Sequence, residues 1–316
     1  MTGRVSIIAR RSDGLSAARE RVRGGVVDHL VLLKPRVMSL VVFTGAVGFA
    51  LAPAHIDWLR LVATLSAMAA GAGACGALNM WWDADIDANM ARTAMRPIPR
   101  GAVPAREALA IGALLSIVSV AALGVRVNWL AASLLALTIA IYIPLYTMVL
   151  KRRTPLNIVI GGAAGALPPV IGWAAATNSL SVGPIALFLV TFLWTPPHFW
   201  ALALVKSGDY ARAGVPMLPV VAGEAETRRQ ILLYTFLLAP LGVAPWLLGY
   251  AGPLYGVVAV ATGAALIALA LRVRAERQGY AASKQMFGFS ILYLFLLFAM
   301  LLADRLSGGL FGHFAV

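Results

Sequence analysis

The chain reads as an all-α, polytopic membrane protein, a single bundle of about nine transmembrane helices. Three observations carry that reading. Of 316 residues, 60% are hydrophobic and only 12% charged, against about 25% charged in soluble domains, and the mean hydropathy is +0.84. Apolar runs of bilayer-crossing length recur along the whole chain. With the N-terminus taken as cytoplasmic, only Arg60, Arg126 and Arg305 of the 26 Lys and Arg residues fall on the far side, a strong positive-inside bias.

The elements follow in order. Residues 1–30 are polar and Arg-rich, lack the apolar core of a secretory signal, and read as a flexible basic cytoplasmic tail. The membrane domain occupies 31–305, and 306–316 form a short C-terminal tail. Spans are expected near 37–54, 59–80, 107–125, 129–149, 157–176, 182–205, 231–250, 253–272 and 286–303. The formal charge of +13 therefore speaks of orientation, in a cell inner membrane, before it speaks of nucleic acid, and no nucleic-acid partner is expected. One cysteine, Cys75, lies in the run Gly71-Ala72-Gly73-Ala74-Cys75-Gly76; it allows no disulfide framework, and close helix packing accounts for it.

The second span runs into Asn79-Met80-Trp81-Trp82-Asp83-Ala84-Asp85-Ile86-Asp87, and Arg92, Arg96 and Arg100 follow. Residues four apart on a helix lie about 40° from one another, so Asn79, Asp83 and Asp87 share one face while Asp85 points away. Two carboxylates and an amide suit a hard cation, and Mg²⁺ is commonly held by one or two carboxylates with substrate phosphates completing its shell. The arginines supply cations for phosphate oxygens. Polar residues at a membrane helix end are often only a solvated loop, but ionisable residues repeated on one helical face at the membrane are functional candidates.

Lys151-Arg152-Arg153 follows the fourth span. It could anchor to acidic headgroups or clamp a diphosphate, and the segment alone does not choose. Gly161 to Pro169 suggests close packing and a bent fifth span. The sixth span carries Trp194-Thr195-Pro196-Pro197-His198-Phe199-Trp200, read as a break with His198 facing a cavity, and Asp209 beyond it is a further candidate metal ligand. Ser283-Lys284-Gln285 opens the last span with no evident role. Acidic face, cationic loops and aromatic residues at one mouth of an apolar bundle suit a ligand with a phosphate head and a long apolar tail, such as an isoprenyl diphosphate.

The spacing Asn79-x3-Asp83-x3-Asp87 with arginines behind it resembles the first motif of the UbiA-type intramembrane prenyltransferases. Longer stretches are similar to the haem-farnesylating branch of that family: Lys34-Pro35-Arg36, Asn79 through Ile98, Tyr146 through Gly162, Trp194 through Ala203, and Asp209-Tyr210 through Pro219. The resemblance covers about residues 30–300. It implies a nine-helix bundle open to the cytoplasm and Mg²⁺-dependent transfer of a farnesyl group from farnesyl diphosphate to the 2-vinyl group of haem B. Water addition then gives haem O, for a haem A synthase or terminal oxidase assembly. Carried over, Asn79, Asp83 and Asp87 are metal and diphosphate ligands, and Arg92, Arg96, Lys151 and Arg152 contact the diphosphate. A haem contact at His198 is inferred from its Pro-Pro-His setting. The quinone-forming relatives carry a second Asp-rich motif after the sixth span, where this chain has only Asp209. A quinone-precursor prenyltransferase or a transporter of an amphipathic anion are the alternatives; the second would favour internal repeats, and none is evident.

Overall fold

The computed structural model describes residues 25–307, with the side chains of Arg36 and Val37 left aside. Most of the two expected tails therefore lies outside the described residues. The inner end of the N-terminal stretch is a short helix, Val26–Leu32, where a flexible tail to residue 30 was expected.

Among the described residues all regular structure is helical. Nine long apolar helices follow the nine runs: α1 Pro35–Leu51, α2 Trp58–Trp82, α3 Ala105–Arg126, α4 Trp129–Leu150, α5 Asn157–Thr177, α6 Val182–Val205, α7 Gly223–Leu247, α8 Pro253–Ala275 and α9 Ala281–Leu306. Eight are long and apolar enough to cross a bilayer. The ninth, α1, has 17 residues, about 25 Å at 1.5 Å per residue and slightly short of a full hydrocarbon core.

Sequence sets the ends of these helices. Asp57 caps α2 by accepting from Leu59 N and Arg60 N at 3.0 and 3.1 Å, and Asn128 caps α4 through Ala131 N at 2.8 Å. The Asn128 amide also donates to Ala174 O at 2.9 Å, pinning the α3–α4 turn to the end of α5. Pro168 restarts α5 after an interruption at Leu167, the expected bend. There α1 crosses at backbone contact, because a side chain on Gly48 would overlap the Pro169 carbonyl and one on Gly172 that of Gly45.

In α6 the outcome differs from expectation: the helix runs unbroken through Pro196 and Pro197. Prolines at these positions leave carbonyls one turn back without their usual donors. Neighbouring bonds hold the segment in place, with Thr195 Oγ1 donating to Thr191 O at 2.9 Å and Trp194 Nε1 tying the helix to Ser290 O of α9 at 2.6 Å.

The buried side chains form two main cores, one around α6–α9 and one around α2, α4 and α5, and α1 and α5 contribute to both. The bundle closes where α9 returns to α1. Phe43 and Phe295 stack at 5.3 Å, and Arg305 Nε donates to Ala50 O at 3.0 Å. Beside it, Asp304 Oδ2 accepts from Gly252 N at 2.6 Å. The connections that carry polar side chains gather at the opposite end.

Candidate active site

The site grows from the last turn of α2. That helix ends at Trp82, and a five-residue helix, Ala84–Ala88, continues beyond Asp83. Backbone bonds Asp83 N to Asn79 O (2.9 Å) and Asp87 N to Asp83 O (2.8 Å) carry the four-residue spacing across the joint. Asn79, Asp83 and Asp87 are accordingly all buried, while the Asp85 side chain is 63% exposed. The shared face read from spacing is present.

Each group on that face meets a partner. Asn79 Nδ2 donates to Asp83 Oδ2 at 2.8 Å and to Thr147 Oγ1 of α4 at 3.1 Å. Lys151 is ion-paired with Asp83, whose carboxylate is completely buried. Arg96 Nη1 pairs with Asp87 Oδ2 at 2.5 Å, and Thr93 Oγ1 donates to Asp87 O at 2.9 Å. Arg152 lies 3.8 Å from Asp83 Oδ1 but spends its hydrogen bonds on Asp85, at 2.7 and 2.8 Å, and on Trp82 O at 3.0 Å. The Arg152 guanidinium beside Asp85 holds that carboxyl below the usual carboxylate range. Of the candidate diphosphate ligands, Arg96 and Lys151 stand directly on the acidic face, Arg152 stands beside it, and Arg92 turns to Tyr210.

The arginines do not continue the helix. Residues 89–103 are turns, so Arg92, Arg96 and Arg100 diverge to Tyr210, Asp87 and Asp28 respectively. Asp209 sits on the short helix Ser207–Arg212 and is ion-paired with Arg212. Its neighbour Tyr210 packs with Ile86, Met90, Val215 and Met217, which lays the loop after α6 over the loop after α2.

Lys34 belongs to the site although spacing does not reveal it. It has φ +53°, the left-handed region, uncommon for a lysine. Its Nζ donates to Asn79 Oδ1 at 2.6 Å. The approach depends on Gly76, where a Cβ would sit 2.7 Å from Leu32 O. Burial pushes the Lys34 ammonium down to about 7, helped by Arg96 and Lys151 and opposed by Asp87 and Asp83. Three cations, Lys34, Arg96 and Lys151, and two buried carboxylates thus converge. The sequence signal was the pair Lys34-Pro35, a cation held at the mouth of a span.

His198 lies on α6 with its ring sandwiched between Trp194, at 4.3 Å, and Phe287 of α9, at 4.6 Å. Nδ1 is 2.7 Å from Ser290 Oγ. Both ring faces are covered, which leaves the Nε2 edge for any further partner. The unexplained Ser283 is also accounted for. Glu276 accepts from Ala282 N at 2.8 Å and from Ser283 Oγ at 3.0 Å, capping α9.

The donor set suits a divalent cation. Asp83 Oδ1 is buried without a hydrogen-bond partner, Arg152 Nη2 standing off at 3.8 Å. Among the described residues no group of three or more His, Cys, Asp and Glu side chains is placed to hold one ion, so two carboxylates and substrate oxygens would form its shell.

Known proteins match at this point. A model of the UbiA prenyltransferase family covers residues 41–303. A Parvibaculum lavamentivorans protein named protoheme IX farnesyltransferase is 58% identical over 288 residues, 90% of this chain and 91% of its own length. One of the same name from Rhodopseudomonas palustris (strain BisB5) is 55% identical over 314 residues, 98% of this chain and 100% of its own. A solved UbiA homolog from Archaeoglobus fulgidus, bound to DMAPP and Mg²⁺, superposes with TM-score 0.64 at 17% identity, covering 87% of this chain and 99% of its own. At that identity the likeness concerns the fold.

Proposed function

The chain belongs to the UbiA prenyltransferase family, and from that premise we propose that it moves a farnesyl group from farnesyl diphosphate to the 2-vinyl group of haem B, with water completing haem O. It is a multi-pass membrane enzyme, an intramembrane prenyltransferase. The observation that carries the reading is the buried face Asn79-Asp83-Asp87 met by Lys34, Arg96 and Lys151.

On this reading Lys151, Arg96, Arg152 and Arg92 receive the diphosphate. Cations aimed at oxygens on which charge builds favour departure of the leaving group. The carboxylates Asp83 and Asp87, together with Asn79, would hold Mg²⁺. When bound, Mg²⁺ would neutralise diphosphate charge and make it a better leaving group. Until substrate arrives, the Asp83–Lys151 and Asp87–Arg96 pairs keep buried charge compensated, which an isolated ion here would not tolerate. The overlying loops after α2 and α6 exclude water from the allylic carbon.

The acceptor is assigned to the α6–α9 side, around His198. Neutral imidazole is a good iron ligand, and with Nδ1 donating to Ser290 Oγ, whose own proton goes to Phe287 O, the other nitrogen would meet the haem iron. The cation bias supports a cytoplasmic side of an inner membrane for the N-terminus and the site loops. Asp209 stands alone where a quinone-precursor enzyme carries a second Asp-rich motif, which weighs against that reading, and to join a metal shell it would leave Arg212, as Asp83 and Asp87 would leave Lys151 and Arg96.

The test is to incubate the purified membrane protein with haem B, farnesyl diphosphate and Mg²⁺ and to read the product by mass. Haem gaining one farnesyl group and one water supports the reading. A farnesylated phenolic acid made in preference to a haem adduct, or unaltered substrates carried across a vesicle membrane, would each overturn it.

A further inference from the structure

The short helix Val26–Leu32 before α1 has two unlike sides. At about 100° per residue, Val26, Val27, Leu30 and Val31 share an arc of about 140°, and Asp28, His29 and Leu32 fall on the opposite arc. The second side is spent on the protein. Asp28 is ion-paired with Arg100, His29 Nε2 meets Glu107 Oε1 at 2.8 Å, and Leu32 packs with Ala77, Met80, Val103 and Ala108. The first side is left uncovered by the described residues. Val26 and Val27 are 77% and 71% exposed, and Leu30 and Val31 are 54% and 41% exposed.

The contacts of the covered side fix the height of the helix. Ala77 and Met80 belong to the last two turns of α2, and Ala108 to the first turn of α3, beside Glu107. The helix therefore lies against the flank of the bundle, not on top of it. From Leu109 onward the outer surface of α3 is apolar and exposed, through Leu114, Ile117 and Val118. The hydrocarbon boundary thus falls within about one helical turn of Glu107. The 17-residue α1 agrees with that level, since a span of about 25 Å begins near the boundary rather than above it. An uncovered apolar face at this depth suits a helix lying in the interface, sunk about 5–10 Å into the headgroup and acyl boundary.

Charge names the lipid. Arg106, next to Glu107, is exposed, and residues 1–24, which lie outside the described residues, hold six arginines against Asp13 and Glu20. Basic side chains at a membrane surface attract anionic headgroups, and an apolar face with a basic flank supplies the two signals that stable anchoring takes.

The helix is also joined to the charged patch. Leu33 and Lys34, the latter at φ +53°, form the elbow that turns the chain into α1, and this elbow is wedged against α2. A Cβ on Gly76 would sit 2.7 Å from Leu32 O, and one on Gly73 would sit 3.3 Å from the Leu33 side chain. About one turn further along α2, Asn79 Oδ1 accepts from Lys34 Nζ at 2.6 Å. A helix rolled off its seat would carry Lys34 with it.

We propose that the face of Val26, Val27, Leu30 and Val31 seats in a leaflet carrying anionic phospholipid, and that this seating holds Lys34 on Asn79. The positioning of Lys34 bears on the prenyl transfer and rests on that reading; the seating does not.

Spin labels test the seating. Val27→Cys and Leu30→Cys are labelled in the full-length protein, in phosphatidylcholine vesicles with and without phosphatidylglycerol, with the unlabelled background taken from wild type, whose Cys75 is buried. Expected at both positions is high accessibility to oxygen and low accessibility to a water-soluble nickel chelate, the contrast growing when phosphatidylglycerol is present. Labels open to the chelate would put the face in water. Labels closed to both reagents would put it under protein, either residues 1–24 or a second copy. Each of those results overturns the proposal. Arg19→Gln, Arg21→Gln and Arg23→Gln together should remove the phosphatidylglycerol effect, and an effect of full size in that variant overturns the anionic-lipid assignment.

Kinetics test the positioning. Val27→Glu with Leu30→Glu should raise KM for farnesyl diphosphate by about threefold or more in phosphatidylglycerol vesicles, with kcat within about twofold. Adding Lys34→Ala should raise KM no further than Lys34→Ala alone, because both changes act through one lysine. An unchanged KM in the double glutamate variant, or losses that multiply with Lys34→Ala, overturns the positioning. A wild-type enzyme that forms no haem adduct would overturn the prenyl-transfer reading instead. The spin-label result would then stand alone, and the variants would be compared by farnesyl diphosphate binding.

Discussion

Lys34 Nζ donates to Asn79 Oδ1 at 2.6 Å across 45 residues of chain. The bond joins the entrance of α1 to the exit of α2, and it fixes which way the Asn79 amide faces. With its oxygen on Lys34, its nitrogen is free to donate to Asp83 and Thr147. A hydrogen bond to a charged group contributes about 1.5–3 kcal/mol. Lys34→Ala should therefore raise the farnesyl diphosphate concentration needed for half-maximal rate by about tenfold or more, with haem affinity unchanged. Lys34→Gly is the control for backbone strain. Glycine takes positive φ freely, so this variant should unfold no earlier than Lys34→Ala while losing as much activity. Normal donor kinetics in both would show that Lys34 only shapes the turn.

Asp83 and Asp87 should behave unlike Asp85. Asp83→Ala strands the Lys151 ammonium beside a buried face, and breaking a buried pair typically costs about 3–5 kcal/mol. Turnover should vanish and the thermal midpoint should drop. Adding Lys151→Met should restore much of the stability and none of the activity. Asp85→Ala, at an exposed carboxylate, should leave stability unchanged and lower activity modestly by freeing Arg152. Equal losses for all three aspartates in a Mg²⁺ titration would sink the shared-face argument.

His198→Ala should weaken haem binding and shift the Soret band while farnesyl diphosphate affinity is retained. Ser290→Ala removes the partner that holds Nδ1 and should give a smaller spectral change in the same direction. Haem titrations on the two variants decide the matter. An unaltered spectrum and affinity in a folded His198→Ala protein would make the histidine a packing residue.

A pH-dependent latch is expected on the short helix Val26–Leu32. His29 Nε2 meets Glu107 Oε1 of α3 at 2.8 Å, and this hydrogen bond, with a second to Gly25 O, raises the His29 pKa above its ordinary 6.5. A folded-state pKa above the unfolded one gives stabilisation that is complete below pH 6.5 and lost as pH rises through the higher value. Protection of the amides of 26–33, that is, deuterium uptake corrected for the base-catalysed rise of intrinsic exchange, should therefore fall between about pH 6 and about pH 8, within the titration range of histidine. Glu107→Gln should flatten that dependence. A steep dependence surviving in Glu107→Gln would assign it elsewhere.

Much of this could be read from residue order. The nine spans follow from apolar runs bounded by Pro, Asp57 and Asn128, and the acidic face from a four-residue spacing that survives a helix joint at Asp83. What escaped depends on contacts between distant segments. Ser290 meets His198 across 92 residues, and nothing near either residue signals the other. The scatter of Arg92, Arg96 and Arg100 follows from the helix ending at Ala88, where the spacing still looked helical. The continuity of α6 through two prolines goes with its packing on α9, where Trp194 meets Ser290 and His198 meets Phe287, and local propensity alone argues for a break. The inner half of α4, Ile141–Leu150, is π-helical, and this is equally silent, since Tyr142-Ile143-Pro144-Leu145-Tyr146 fits either helix by composition.

The closure of α9 onto α1 also bears on how the protein is made. Lys34, Asn79, Asp83, Asp87, Arg96, Thr147 and Lys151 all leave the ribosome before α5 begins, so the charged patch can neutralise itself while half of the chain is still unmade. Chains emerge at about 5–20 residues per second and fold from the N-terminal side, so this interval lasts on the order of ten seconds or more. Phe295 and Arg305, which meet Phe43 and Ala50, come last. Until they arrive, the flank of α1 that receives α9 lies open to lipid, and His198 has no Ser290. A nascent chain stalled before α9 would therefore carry the charged patch complete, with His198 and the flank of α1 still without their partners.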